Sequence, residues 1–255
     1  MKSTNPFKLY DKERKALWGR AGVWVILAVL SFIVCWLFLH MLDRYMALQP
    51  ELLKLSAPPT VSDALLLPLS QNLIKVMLLV VAVTAGTSFS QERQQHTIFY
   101  LLRTTRPWYR SLSMEKFKAH MWLLLFPWLI LVTSAVFLSM AGHVNWLQVL
   151  AMMLALLLCT AWLVAMALWL SVKVNQVGFA VLLCLVVFAG LWILAGQEIM
   201  SEYGVNWINL LLPVQHFNWL LEGQINPASL LYFIGGTLLW LSWADYQLQH
   251  LRAQL

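Results

Sequence analysis

Glu92 and Arg93 stand side by side in a polar run, Ser90-Gln91-Glu92-Arg93-Gln94-Gln95-His96-Thr97, in a chain that is otherwise overwhelmingly apolar. An apolar cluster follows at Ile98, Phe99, Leu101 and Leu102, and Arg103, Arg106 and Pro107 close the stretch. Opposite charges beside a short apolar face suit recognition of another protein, because the charges pair across an interface while the leucines fill a groove. The competing reading is a basic loop held against anionic lipid headgroups. Lys75 is a second chemical feature, a cation embedded in an apolar run. There it either snorkels to the membrane surface or meets an anionic substrate. His216 is a further candidate contact along a substrate path.

Catalysis needs constellations that this sequence lacks. No glycine-rich loop with Lys and Ser or Thr is present to cradle nucleotide phosphates, so the chain is not expected to hydrolyse ATP or to be an enzyme. The six histidines, at 40, 96, 120, 143, 216 and 250, stand singly and not at metal-ligand spacing, and no serine-hydrolase elbow occurs. Cys35, Cys159 and Cys184 fall within apolar runs and read as small apolar fillers, with neither disulfide nor metal expected. No carboxylate sits in the middle of an apolar run, which argues against a proton- or sodium-coupled carrier. No cofactor is expected in the chain itself.

The elements that must position these residues are helices in a bilayer. The chain of 255 residues is 61% hydrophobic and 11% charged, with a mean hydropathy of +0.72, and its apolar runs are too long and continuous for barrel strands. The expected fold class is all-α, a polytopic membrane protein with six spans near Ala21–Met41, Leu69–Phe89, Met121–Met140, Trp146–Val172, Val177–Ala195 and Ser229–Trp243. Fourteen of the 17 Lys and Arg residues fall in the N-terminal segment, the stretch 90–120, the fourth-to-fifth connection and the C-terminal tail. The positive-inside rule therefore places both termini in the cytoplasm. The net charge of +6 records this topology and argues for no nucleic-acid partner.

Residues 1–20 interleave aromatics with Lys and Arg, as in a helix lying in the cytoplasmic interface, or they form only a charged flank. Ala21–Met41 is too long for a cleaved signal core and reads as a mature span. Pro50, Pro58 and Pro59 argue against one helix through the extracytoplasmic loop 42–68, and Pro127 predicts a kink in the third span. Ala141–Asn145 and Lys173–Gln176 read as tight hairpins. The stretch 196–228 leaves the hydrocarbon yet keeps an apolar face, which predicts an interfacial or re-entrant segment. The alanines at 151, 155, 161 and 165 let another helix approach the fourth span closely. No internal boundary stands out, so 1–255 reads as one membrane domain.

Gln91-Glu92-Arg93, then Thr97, Leu101-Leu102, Arg106-Pro107 and Glu115-Lys116, resemble the coupling segment of ABC-2 type transporter permeases. The pattern there runs roughly Glu-Glu-Arg, Gly-Thr, Leu-Leu, Pro and Gly-Lys before the third span. Pro213-Val214-Gln215-His216-Phe217, Gly223-Gln224-Ile225 and Leu231-Tyr232-Phe233 are similar to the end of permeases from the gliding-motility and copper-enzyme-maturation branches. Gln91 departs from the usual acid, and His96 and Glu115 replace glycines, which calls into question a tight backbone turn at those two points.

The resemblance implies the membrane-spanning subunit of an ATP-binding cassette exporter in the bacterial inner membrane. Gln91, Glu92, Arg93, Thr97, Leu101, Leu102, Arg106 and Pro107 would couple it to a separate ATP-binding subunit that holds ATP and Mg. A second copy of the permease, or a related one, would complete it among membrane lipid. Haem-, copper- or sulfur-handling permeases for metalloprotein maturation are the alternative within the superfamily, and a non-transporting membrane scaffold is the alternative outside it.

Overall fold

The computed structural model describes residues 6–52, 60–104, 112–140, 144–195 and 211–253. The fold is all-α, 89% helical, with no strand among the described residues. In chain order the helices are α1 (Pro6–Trp18), α2 (Ala21–Leu52), a π-helical turn (Ser62–Leu66), α3 (Leu67–Thr84), α4 (Ser88–Gln94), α5 (Thr97–Thr104), α6 (Leu112–Met121), a 3-10 turn (Trp122–Leu124), α7 (Leu125–Ser139), α8 (Trp146–Lys173), α9 (Val177–Leu194), α10 (Pro213–Leu221) and α11 (Pro227–Ala253). Six stretches are long and apolar enough to cross a membrane: Ala21–Pro50, Ser62–Gln94, Leu112–Ser139, Trp146–Lys173, Val177–Leu194 and Pro227–Ala253. The fold thus defines a multi-pass helical membrane protein.

α8 is the central helix, packing against α3, α11, α10, α6, α4, α7 and α9. Its small residues make this possible. Ala151, Ala155, Cys159 and Ala165 are buried, so neighbouring backbones come close where no driving force but packing operates. α11 crosses it where Gly236 meets Trp162; a Cβ built there would lie 2.4 Å from the indole Nε1. α2 and α9 are peripheral, with Trp24, Phe32, Trp36, Phe179, Leu182 and Val186 directed outward. Outward apolar side chains are what a helix facing lipid requires.

Several boundaries depart from expectation. α2 continues past Met41 to Leu52 with Pro50 inside it; the proline forgoes one amide hydrogen bond, which the helix accommodates near the end of its described residues. The second span divides at Gly86, where the amides of Ala85 and Gly86 both donate to the Val81 carbonyl, at 2.9 and 3.1 Å. A side chain at Gly86 would strike the Ala82 carbonyl at 2.3 Å and Cys184 Sγ at 2.9 Å, so the joint needs glycine. In the third span the α-helical pattern is interrupted by the 3-10 turn just ahead of Pro127. Proline supplies no amide to the Leu123 carbonyl four residues back, which accounts for the tighter turn there. α11 is longer at both ends than the expected Ser229–Trp243. Asn145 begins α8, its Oδ1 accepting from the amides of Leu147 and Gln148 at 3.1 and 3.4 Å.

Within the expected peripheral stretch 196–228, residues 196–210 lie outside those described. α10 turns inward, with Pro213, His216, Phe217, Leu220 and Leu221 buried against α8 and α11. α1 likewise rests on another helix, α6.

Candidate functional site

The polar segment is built into one end of the bundle. At its start, the Ser171 hydroxyl near the end of α8 accepts hydrogen bonds from the amides of Phe89 and Ser90, at 2.9 and 3.1 Å. Those amides are among the first four of α4, which have no partner inside their own helix. One turn on, the Arg93 guanidinium donates to the Val172 carbonyl. That places a cation on the carbonyl-rich C-terminus of α8, where the helix dipole favours it. α4 is thereby fastened to α8 by both a neutral cap and a charged one.

Lys116 is the centre of the site. It is 1% exposed, and its Nζ donates to Glu92 Oε1 at 2.8 Å and to Glu13 Oε2 at 3.0 Å. The same ammonium lies 5.1 Å from the centre of the Phe89 ring, a cation–π contact in a desolvated place. One buried lysine thus ties α6 to α4 and to α1 at once. Burying a charge is costly unless it is paired, and two carboxylates on one ammonium satisfy that requirement. Glu92 Oε2 is buried with no hydrogen-bond partner among the described residues. The rest of α6 adds further ties: Ser113 Oγ donates to Asp245 Oδ1 of α11 at 2.6 Å, and His120 Nδ1 lies 2.7 Å from the Lys116 carbonyl. On α1, Arg14 lies 5.6 Å from the Tyr10 ring and 5.7 Å from that of Trp122, whose indole N–H donates to the Tyr10 hydroxyl.

After α4 the chain reverses at His96, which has φ of 57°, in the left-handed region that glycine normally fills. The tight turn that the loss of glycine called into question is therefore made, with His96 itself in the left-handed conformation. Its amide donates to the Arg93 carbonyl at 3.1 Å, and Thr97 Oγ1 to the Glu92 carbonyl at 3.3 Å. α5 then packs toward α4 and α11. Ile98, Leu101 and Leu102 are 1%, 7% and 5% exposed. The apolar face read as a docking wedge is thus largely spent inside the chain, because three of its residues complete the core at this end. Among the described side chains of α4, the turn and α5, Gln94, Gln95, His96, Thr97 and Phe99 are exposed.

The other candidate residues separate into three groups. Arg106 and Pro107 lie outside the described residues. Gln91 is half-buried and lines a cleft of about 620 Å³ with Arg20, Thr84, Thr87, Gln94 and Gln95. Lys75 and His216 belong to different surroundings. Lys75 is exposed on α3. His216 is buried, its Nδ1 3.0 Å from Ser229 Oγ and its ring stacked 4.4 Å from that of Tyr232. No group of three or more metal-ligating side chains occurs among the described residues.

Sequence reading named Lys116 only within the Glu115-Lys116 pair and gave it no role, and it missed Glu13 and Ser171. The signal for Lys116 was available: Leu112, Lys116, Ala119 and His120 recur at helical spacing and are all buried. Glu13 and Ser171 carry no such mark, because their roles arise from residues about 100 and 80 positions away in sequence. A scan against protein-family models finds no match for the chain, and a search of curated proteins finds no relative.

Proposed function

We propose that this chain is the membrane-spanning subunit of an ATP-driven exporter of the ABC-2 permease type in a bacterial inner membrane. Both termini and the α4–α6 end face the cytoplasm in this reading. A separate ATP-binding subunit holds ATP and Mg, and a second permease copy or a related permease completes the path. The observation that carries the reading is the fastening of α4 to α8, α6 and α1 through Ser171, Arg93 and Lys116. A displacement applied to α4 would pass through these direct contacts into the central helix and the third span.

The ATP-binding subunit would meet the exposed residues around His96 and Phe99, with Leu101 and Leu102 supporting them from inside. α1, clamped at Glu13, would lie along the cytoplasmic boundary with Lys12 and Lys15 toward headgroups. Affinity purification of the chain from its native membrane, with mass spectrometry of what accompanies it and an ATPase assay, tests this. A stoichiometric ATP-binding subunit is expected. A folded isolate without one would reject the exporter and favour a scaffold or carrier.

A further inference from the structure

One stripe of α3 is left uncovered. Leu69, Leu73, Ile74, Met77, Val80 and Val81 are buried, whereas Gln71 and Asn72 are half-buried and Lys75 and Leu79 exposed. Positions three and four apart share a helix face, so these four make one continuous stripe. Its edges are defined on both sides. Asn72 Nδ2 lies 3.9 Å from Met41 Sδ of α2, and Gln71 Nε2 donates to Asn218 Oδ1 of α10 at 3.3 Å. Four residues beyond Leu79 the stripe reaches Val83, which lines the cleft of about 620 Å³ that Arg20 and Gln91 also line. Polar surface therefore approaches the middle of this helix face from both ends, and Leu79 and Val83 are the apolar step between.

The charge along the stripe has one sign. The cleft has no carboxylate among its lining residues, Lys75 stands at the other side of Leu79, and Glu92 is turned away onto Lys116. Snorkelling accounts for Lys75 alone, whereas Gln71 and Asn72, one turn from it on the same stripe, each carry a second amide hydrogen beyond the one directed at Asn218 or Met41. Leu79, exposed one turn from Lys75 on the same stripe, sets apolar surface beside the charge. That combination fits a molecule with a negative head and a hydrocarbon part.

We propose that the uncovered face of α3 binds an amphiphile with an anionic head, Lys75 holding the charge and Gln71 donating to its oxygens, with Asn72 at the edge of the site against Met41. This deepens the exporter reading and rests on it for the direction of movement, though not for the binding itself.

The test uses the full chain in native membrane vesicles with Cys35→Ala, so that the exposed native thiol is removed. Asn72→Cys is labelled with an anionic sulfonate thiosulfonate and with a cationic trimethylammonium thiosulfonate. The anionic reagent is expected to react faster by about tenfold, given a fixed cation one turn away, and Lys75→Met should bring the ratio close to one. Dodecyl phosphate should protect the thiol, whereas dodecylphosphocholine and inorganic phosphate should not. A thiol inert to both reagents, a ratio insensitive to Lys75→Met, or equal protection by inorganic phosphate would each overturn the proposal. Met41→Cys, whose side chain meets Asn72, gives the same reading should Asn72→Cys fail to assemble. Labelling needs no nucleotide, so charge-selective labelling without a copurifying ATPase removes the exporter and keeps the site, and the reverse result removes the site alone.

Discussion

Ser171 and Phe89 are 82 residues apart in sequence, yet the Ser171 hydroxyl caps the first turn of α4 by accepting the Phe89 amide, taking the Ser90 amide as well. A side chain at the end of one membrane helix thus supplies what the first turn of another lacks. Ser171→Ala removes the acceptor and leaves two buried amides unpaired, which should cost about 1–2 kcal/mol. Thermal unfolding of the purified chain in detergent measures this, and an unchanged melting temperature would show that the cap contributes nothing.

The Lys116 cluster predicts an asymmetry. Lys116→Met leaves two carboxylates facing each other in a buried place, and breaking a buried pair by removing one partner costs about 3–5 kcal/mol. Glu13→Gln leaves Glu92 on the ammonium and should cost much less. Lys116→Met with Glu92→Gln and Glu13→Gln should regain part of the loss, since the uncompensated charge is gone. Melting temperatures of the four proteins decide it; equal losses for Lys116→Met and Glu13→Gln would contradict the geometry.

The six spans were legible because a twenty-residue apolar run states its environment without reference to anything distant. The division of the second span at Gly86 was not, since it depends on how near Cys184 of α9 comes. The same contrast holds in the polar segment. Glu92 and Arg93 stood out by charge, whereas the tight turn that the missing glycine called into question is made by His96 all the same. What Glu92 and Arg93 touch could not be read, because Lys116 and Val172 are brought to them by packing. The leucines misled for a related reason: an apolar face on a short helix looks the same whether a partner or the chain's own α11 covers it.

α5 therefore has two faces with separable roles. Leu102→Asp puts a charge in the core and should cost about 3 kcal/mol or more of stability, read as a strongly lowered melting temperature. Phe99→Asp alters the exposed face and should leave melting within about 0.5 kcal/mol while reducing recovery of the ATP-binding subunit. If Leu102→Asp melted normally and lost the subunit, the outward docking face first read from the sequence would be restored.

His96 carries backbone strain that glycine would not. A residue with a Cβ in the left-handed region is disfavoured by roughly 1 kcal/mol, and glycine in the same place gives part of that back to a more flexible unfolded chain. His96→Gly should raise stability by about 0.5 kcal/mol, while His96→Val, whose branched Cβ fits this region worst, should lower it by more than 1 kcal/mol. The His96 ring stacks on Phe99 with centroids 6.4 Å apart, and both rings are exposed, so its loss subtracts little. The order Gly above His above Val in melting temperature is the expected result. A loss with glycine as large as that with valine would mean that the imidazole, and not the backbone, is what this turn requires.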